Sequence, residues 1–402
     1  MNNKLKKILD KVILGLFLCL AFFTPIIFSG STNEFYEFPK MFFVYFTGTT
    51  LITTFLISRI MFGGKKFVLP DWRVLGFVGL ILLSTIFSSH LYTSVWGYYS
   101  RFNGGLMSYL VFLGIYFVGI NYFDKEKKEN VLNAICLSLF PISLYGIFQI
   151  SNYERIFSTL GQPNWLASYI VFVLPLVIGQ AIKEKEDLKR YFWIATSLFA
   201  FVSLWFTSSL SGVMGFLVSF IYLGIIFRKK VLNKWTLIGL AVFILFGVLN
   251  FSYFKNRLSD ALVFSTDPES YRVSDPGLIR AGLWKGSLRM SVDNPKNLIV
   301  GIGPETFPYE FPFFREDFLN YSSEWNFILN KPHNYYLEIL VESGLIAFIF
   351  YLLIMFKTLK MENKFMVAGL VGFYATNLFG WPTVYTSLLF WMYLSFMRNT
   401  SP

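Results

Sequence analysis

The sequence predicts an all-α integral membrane protein of about twelve transmembrane helices, with one large outer-face loop before the tenth. Three observations carry this. Of the 402 residues, 55% are hydrophobic and 20% aromatic, and only 15% are charged, against the roughly 25% usual for a soluble chain. The apolar residues fall in blocks of roughly 17–22, long enough to cross a hydrocarbon core of about 30 Å. The Lys and Arg residues alternate between the connections that separate those blocks.

The apolar blocks lie at 12–29, 41–61, 74–89, 104–122, 131–150, 164–182, 191–208, 211–227, 235–251, 338–356, 365–381 and 383–397. Met1 to Lys11 followed by the first block has the look of a signal peptide. It lacks a clear small-residue cleavage site, so we read an uncleaved first helix. If every block crosses, one side collects 23 of the 35 Lys and Arg residues, in runs such as Lys4–Lys11, Lys65–Arg73, Lys183–Arg190 and Lys357–Lys364. The short loops of the other side hold only Lys40, Arg101 and Arg155. Basic residues stay in the cytoplasm, so both termini are expected there and the segment 252–337 outside. The whole chain, 1–402, then forms one polytopic domain, with spans within 12–251 and 338–397.

The net charge of +11 fits this retention better than it fits nucleic-acid binding. Cys19 and Cys136 lie inside apolar blocks and read as small core residues. No Cys/His cluster, Asp pair with metal-ligand spacing or nucleotide-binding loop is present, so no metal and no cofactor is expected. An enzyme built this way needs a substrate that arrives already activated and reaches the outer face.

Segment 252–337 is too polar to span, with ten acids and nine bases. Asp275-Pro276-Gly277 and Asp293-Asn294-Pro295 are turn signals. Between them, Leu278 to Met290 forms an amphipathic pattern, with Leu278, Leu283, Trp284 and Leu288 near one face and Arg280 and Arg289 flanking it. Gly301-Ile302-Gly303 reads as a turn.

Four glycine-containing polar pieces share the outer side: Trp96 to Gly105, Leu160 to Trp165, Arg280-x-x-x-Trp284 with Asn294-Pro295 and Gly301–Pro304, and the junction that starts Lys331-Pro332-His333-Asn334 and runs on to Gly344. The last is the richest. Asn334 can cap a helix beginning just after it. The positive end of that helix dipole disfavours imidazolium at His333 and leaves a neutral ring able to take a proton. The plain alternative is an interfacial filler. Glu338 and Glu342 are one turn apart just inside the next span, where a carboxylate is costly; the alternatives are headgroup contact for Glu338 and an arginine partner for Glu342. Arg101 and Arg280 stand in apolar or aromatic surroundings, suited to gripping a phosphate through paired hydrogen bonds. Arg289 reads more simply as a solvated residue, Lys331 as an interface anchor, and His90 as an interfacial residue.

This ordered set resembles the O-antigen ligase and polymerase superfamily of bacterial envelope proteins. The resemblance rests on His333-Asn334, nine residues, then Gly344, and on Arg280-x-x-x-Trp284, Asn294-Pro295, Gly301-x-Gly303, Arg101-Phe102-Asn103-Gly104 and Gly161-Gln162-Pro163-Asn164. Ala347 stands where the family usually has Gly, Thr or Tyr. The resemblance implies a glycosyltransferase C-like fold in the bacterial inner membrane. It also implies metal-independent, inverting transfer of a glycan from an undecaprenyl-diphosphate carrier to a glycan, lipid or protein acceptor. In that scheme His333 is the base, Arg280 a pyrophosphate contact, and Arg289, Asn334 and Glu342 further substrate-binding candidates. One departure is clear: Leu210, in Ser209-Leu210-Ser211-Gly212-Val213-Met214, stands where the family usually has an arginine. Arg101 is the expected substitute. A polymerase joining lipid-linked repeat units is the nearest alternative, and a transporter or flippase the alternative from another class. Transporters commonly show related halves, and none are visible here.

Overall fold

The computed structural model describes residues 2–227, 255, 276–322, 324 and 326–397. All regular structure among them is helical. The long helices are α1 (Asn2–Phe23), α2 (Glu37–Phe62), α3 (Trp72–Ile86), α5 (Leu106–Tyr122), α6 (Lys125–Phe148), α7 (Pro163–Lys183), α8 (Asp187–Phe206) and α9 (Leu210–Ile226), with the short α4 (Leu91–Trp96) before α5. After the undescribed stretch come α10 (Pro276–Val292), α11 (Pro295–Val300) and α12 (Phe307–Glu310). The chain closes with α13 (Tyr335–Thr358), α14 (Lys364–Thr376) and α15 (Val384–Ser395). Each apolar block expected to span overlaps a helix except 235–251, which lies outside the described residues. By length and hydropathy, α2, α6, α7 and α13 suffice to cross a membrane, and α3, α5, α9, α14 and α15 are shorter apolar helices. The protein is a multi-pass membrane protein.

Helix ends follow local chemistry. The Gln162 side chain accepts from Trp165 N with Pro163 in the first turn, Ser209 Oγ accepts from Gly212 N, and Thr383 and Thr386 form a capping box. The first block is displaced from its expected bounds: α1 runs back through the basic N-terminus and stops at Phe23, two residues before Pro25.

Helix α7 is the central pillar, buried from Leu166 to Val177 and packed against α6, α8, α9, α14 and α15. Glycines let backbones close in, as where Gly369 of α14 lies against the carbonyl of Phe172. Contacts such as Lys127–Asp10 and Lys128 to the Phe396 carbonyl gather basic connections at one end of the bundle. At the other end, the chain from α10 to residue 329 builds a small second core from Leu283, Met290, Ile302, Phe307, Phe311 and Leu319, joined to α13 through Val341. Leu288 is an exception to the expected face: it is exposed, while Met290 takes the buried place.

Helix α13 is broken, whereas the sequence pattern suggests a continuous span. Gly344 has φ 83°, so residues 335–343 form a separate first segment. A side chain there would also meet the Ile299 carbonyl at 2.2 Å. The break frees carbonyls that Gly301-Ile302-Gly303 uses as acceptors: Ile302 N donates to Val341 O and Gly303 N to Glu342 O, each at 3.0 Å. The glycine pair is thus a strap across the broken helix, beyond the simple turn expected from sequence.

Candidate active site at the loop end of the bundle

Asn334 caps α13, its Oδ1 accepting from Tyr336 N at 3.0 Å and Leu337 N at 3.2 Å. That cap turns the chain so sharply that His333 adopts φ 53°, in the left-handed region. The His333 Nδ1 lies 3.2 Å from the Lys331 carbonyl. A carbonyl only accepts, so Nδ1 carries the hydrogen and Nε2 keeps the lone pair. Burial, then the charges of Arg280 and Arg101, push the imidazole down to about 4, against the opposing pull of the Lys331 carbonyl. The ring is therefore neutral near pH 7, but mainly through burial and guanidinium charge rather than through the helix dipole expected from sequence.

Two arginines come to this histidine from distant parts of the chain. Arg101 follows α4, in a loop held by a hydrogen bond from Tyr45 Oη to the Phe102 carbonyl at 3.0 Å. Its guanidinium lies over two indoles, 5.5 Å from the Trp165 centroid and 5.7 Å from that of Trp381. Trp381 also meets the His333 ring edge-on, with centroids 5.1 Å apart. Arg280, from α10, lies 5.8 Å from the Phe379 ring, which neighbours Trp284 at 6.1 Å. Burial pushes the Arg280 guanidinium below its ordinary value. The Nε atoms of both arginines and Trp284 Nε1 are buried without a hydrogen-bond partner. Among the described residues neither arginine has a carboxylate in ion-pair range. Buried donors left open in this way suit an incoming anion.

The α14–α15 connection, Phe379-Gly380-Trp381-Pro382, was not among the pieces singled out from sequence, although it carries two aromatic walls of the site. Its signal in the sequence is a Trp-Pro pair between two apolar blocks, easily read as a membrane-interface residue.

Beneath His333 sits a buried charge cluster. The Lys331 Nζ lies 2.5 Å from Glu305 Oε1 and 2.6 Å from Glu338 Oε1, and Glu342 Oε2 accepts from Glu305 N at 2.9 Å. Burial works against the Lys331 charge, but the surrounding carboxylates outweigh it and hold the ammonium above its ordinary value. Lys331, only 4% exposed, is thus an internal cation rather than an interface anchor. The ligand atoms of Glu305, Glu338 and Glu342 lie within 4.8 Å of one another, close enough to hold a metal ion, and the lysine pairs with two of them. A cavity of about 50 Å³ links this cluster to Arg101, Glu37 and Trp381.

The other sequence candidates take places different from those the sequence suggests, or serve the fold. Arg289 reaches away to Glu316, 2.7 Å off, with its side chain 57% exposed. Glu342 is a buried member of the charge cluster and takes a backbone amide instead of an arginine as partner. Glu338 is buried against Lys331 rather than set among headgroups. Asn334 spends its side-chain oxygen on the helix cap. His90 stacks on Tyr309 at 4.1 Å, away from His333. At the departure from the family pattern, Leu210 is the first residue of α9 and brings no charge. Arg155 reaches the same turn, donating from Nε to Thr207 O at 2.9 Å and from Nη2 to Asn164 Oδ1 at 3.2 Å. Nothing in its sequence context marks it for that place.

Residues 195–352 match the family model described as O-antigen ligase. The matched stretch contains Arg280 and His333 and leaves Arg101 outside it. No curated protein matches the chain.

Proposed function

We propose that this chain, a member of the O-antigen ligase and polymerase superfamily, transfers a glycan from an undecaprenyl-diphosphate carrier to an acceptor hydroxyl at the outer face of the bacterial inner membrane. The observation that carries the reading is the pair of guanidiniums, Arg101 and Arg280, with buried unpartnered Nε atoms beside a histidine whose ring is kept neutral.

The acceptor hydroxyl attacks the anomeric carbon from the face opposite the diphosphate. His333 Nε2 takes the hydroxyl proton as the new C–O bond forms. The bond to the diphosphate breaks, and the leaving oxygen's developing charge falls to the two arginines, fixed in place by aromatic walls. The sugar carbon inverts, and the His333 proton passes to solvent. Trp165, Trp381 and Phe379 supply apolar surface that excludes water and suits a sugar ring.

The test uses the purified full chain in liposomes with a labelled lipid-diphosphate glycan. Wild type releases undecaprenyl diphosphate. His333→Ala binds the donor but releases none, and Arg280→Lys loses donor affinity because a point charge replaces a planar fork. Equal release by His333→Ala, or passage of label across the bilayer without bond cleavage, refutes the reading. A ladder of lengthened lipid-linked product identifies a polymerase; a single addition to a different acceptor identifies a ligase.

A further inference from the structure

We infer that Lys331 is the residue that positions His333, acting as a buried internal cation that locks the turn from which the histidine projects. The inference deepens the proposed reaction and rests on His333 being its base.

The lock has three parts. Lys331 and His333 are two residues apart, so the backbone that carries the ammonium also supplies the carbonyl facing His333 Nδ1. The ammonium is gripped from two directions, by Glu305 on the strap loop and by Glu338 on the first segment of α13. The strap itself is tied to that segment by the amides of Ile302, Gly303 and Glu305, and α3 is tied to the same segment by Ser84 Oγ donating to the Glu342 carbonyl at 2.6 Å. The turn at His333 is backbone-strained, with φ 53° at a non-glycine residue, and such a conformation persists only where its surroundings over-determine it. The ion pairs of Lys331 supply that constraint within the described residues. They also select the histidine tautomer, since a displaced Lys331 carbonyl would no longer hold the hydrogen on Nδ1 and leave Nε2 open. Lys331 touches no reacting atom in this scheme; it is a positioning residue.

Three single variants, one double variant and one chemical probe test this. Lys331→Met is expected to lower kcat about 100-fold, the cost of a catalytic group misplaced by about 1 Å, with donor KM changed less than about three-fold. Glu305→Gln, which leaves the Glu338 pair intact, keeps the test open if Lys331→Met does not fold, and lowers kcat in the same sense. The double variant falls no further than the lower single variant, because both changes break one unit. Lys331→Arg, which keeps the charge, recovers part of the loss. Independently of transfer, diethyl pyrocarbonate labelling of His333, followed in a His90→Gln background, speeds up at least about five-fold once the turn is released. Unchanged labelling rates in Lys331→Met and Glu305→Gln, or a kcat within two-fold of wild type in both, overturns the lock. Multiplying kcat losses in the double variant also overturn it. Continued transfer by His333→Ala would instead overturn the proposed reaction, while the labelling result would still decide the lock.

Discussion

The pH dependence of transfer is where the site geometry makes its sharpest claim. In the free enzyme the His333 imidazole is pushed from its ordinary 6.5 down to about 4, first by burial and then by Arg280. That fall corresponds to roughly 3 kcal/mol, or about 300-fold in the balance between neutral and charged ring. A base must be neutral to act, so kcat/KM should hold nearly level from pH 7 to 5.5 and drop only as pH approaches 4. An unperturbed histidine would already have lost about nine-tenths of its activity at pH 5.5. In the proposed reaction the donor brings a negative diphosphate to the arginines, which would favour imidazolium, so the acid limb of kcat should lie higher than that of kcat/KM. Arg280→Gln removes a positive neighbour and should move the kcat/KM limb towards neutral pH. The same linkage bears on stability. The unfolded chain takes this proton near 6.5 and the folded chain only near 4, so the contribution is whole above 6.5 and is lost as pH falls through that window. The assay is initial-rate release of undecaprenyl diphosphate in liposomes across pH 4 to 8. A kcat/KM limb at 6 to 7 in wild type, or one that Arg280→Gln leaves unmoved, would refute the argument.

Three further outcomes follow from particular contacts. Arg289→Ala should leave kcat/KM within about two-fold and cost no more than about 1 kcal/mol, because its exposed pair with Glu316 lies apart from His333; a large loss of donor affinity in the same assay would return Arg289 to the site. Trp381→Ala removes the ring between His333 and Arg101, and should cost about ten-fold in kcat/KM with the fold intact by thermal melting, given about 1–2 kcal/mol for a sheltered cation–π contact. Gly344→Ala forces a side chain into φ 83° and against the Ile299 carbonyl; a loss of about 1–3 kcal/mol or more should appear as a lowered Tm in detergent, and an unchanged Tm would mean that α13 can straighten.

Some of the site was readable in advance because its signal is local. Asn334 stands two residues after a proline and precedes an apolar run, so its capping role can be read from a few residues. The nine-residue spacing from Asn334 to Gly344 gains a physical meaning in the structure: it is the length of the first segment of α13, closed by a glycine that alone tolerates the break. Lys331 reads as an interface anchor because its surroundings in sequence are those of one, whereas the carboxylate Glu305 that pairs with it lies 26 residues away. Trp381 and Phe379 escape notice for a similar reason, since an aromatic at the end of an apolar block has the same appearance whether it faces lipid or a buried histidine. Leu288 fits the apolar face of the amphipathic pattern yet is exposed, and only the packing of the second core put Met290 inside instead.

By itself, the sequence determined that this chain enters a membrane many times, where several of its helix caps lie, and which polar pieces are candidates for chemistry. These are decided by composition, caps and spacing, which act over a few residues. Only the tertiary structure decided that Arg101, Arg280, Trp381 and His333 meet, that Arg289 does not join them, and that a lysine between buried carboxylates underlies the turn. Those outcomes depend on which helix ends pack together. Coulombic and aromatic contacts then act across several ångströms of space between residues hundreds of positions apart, where neither periodicity nor local propensity leaves a trace.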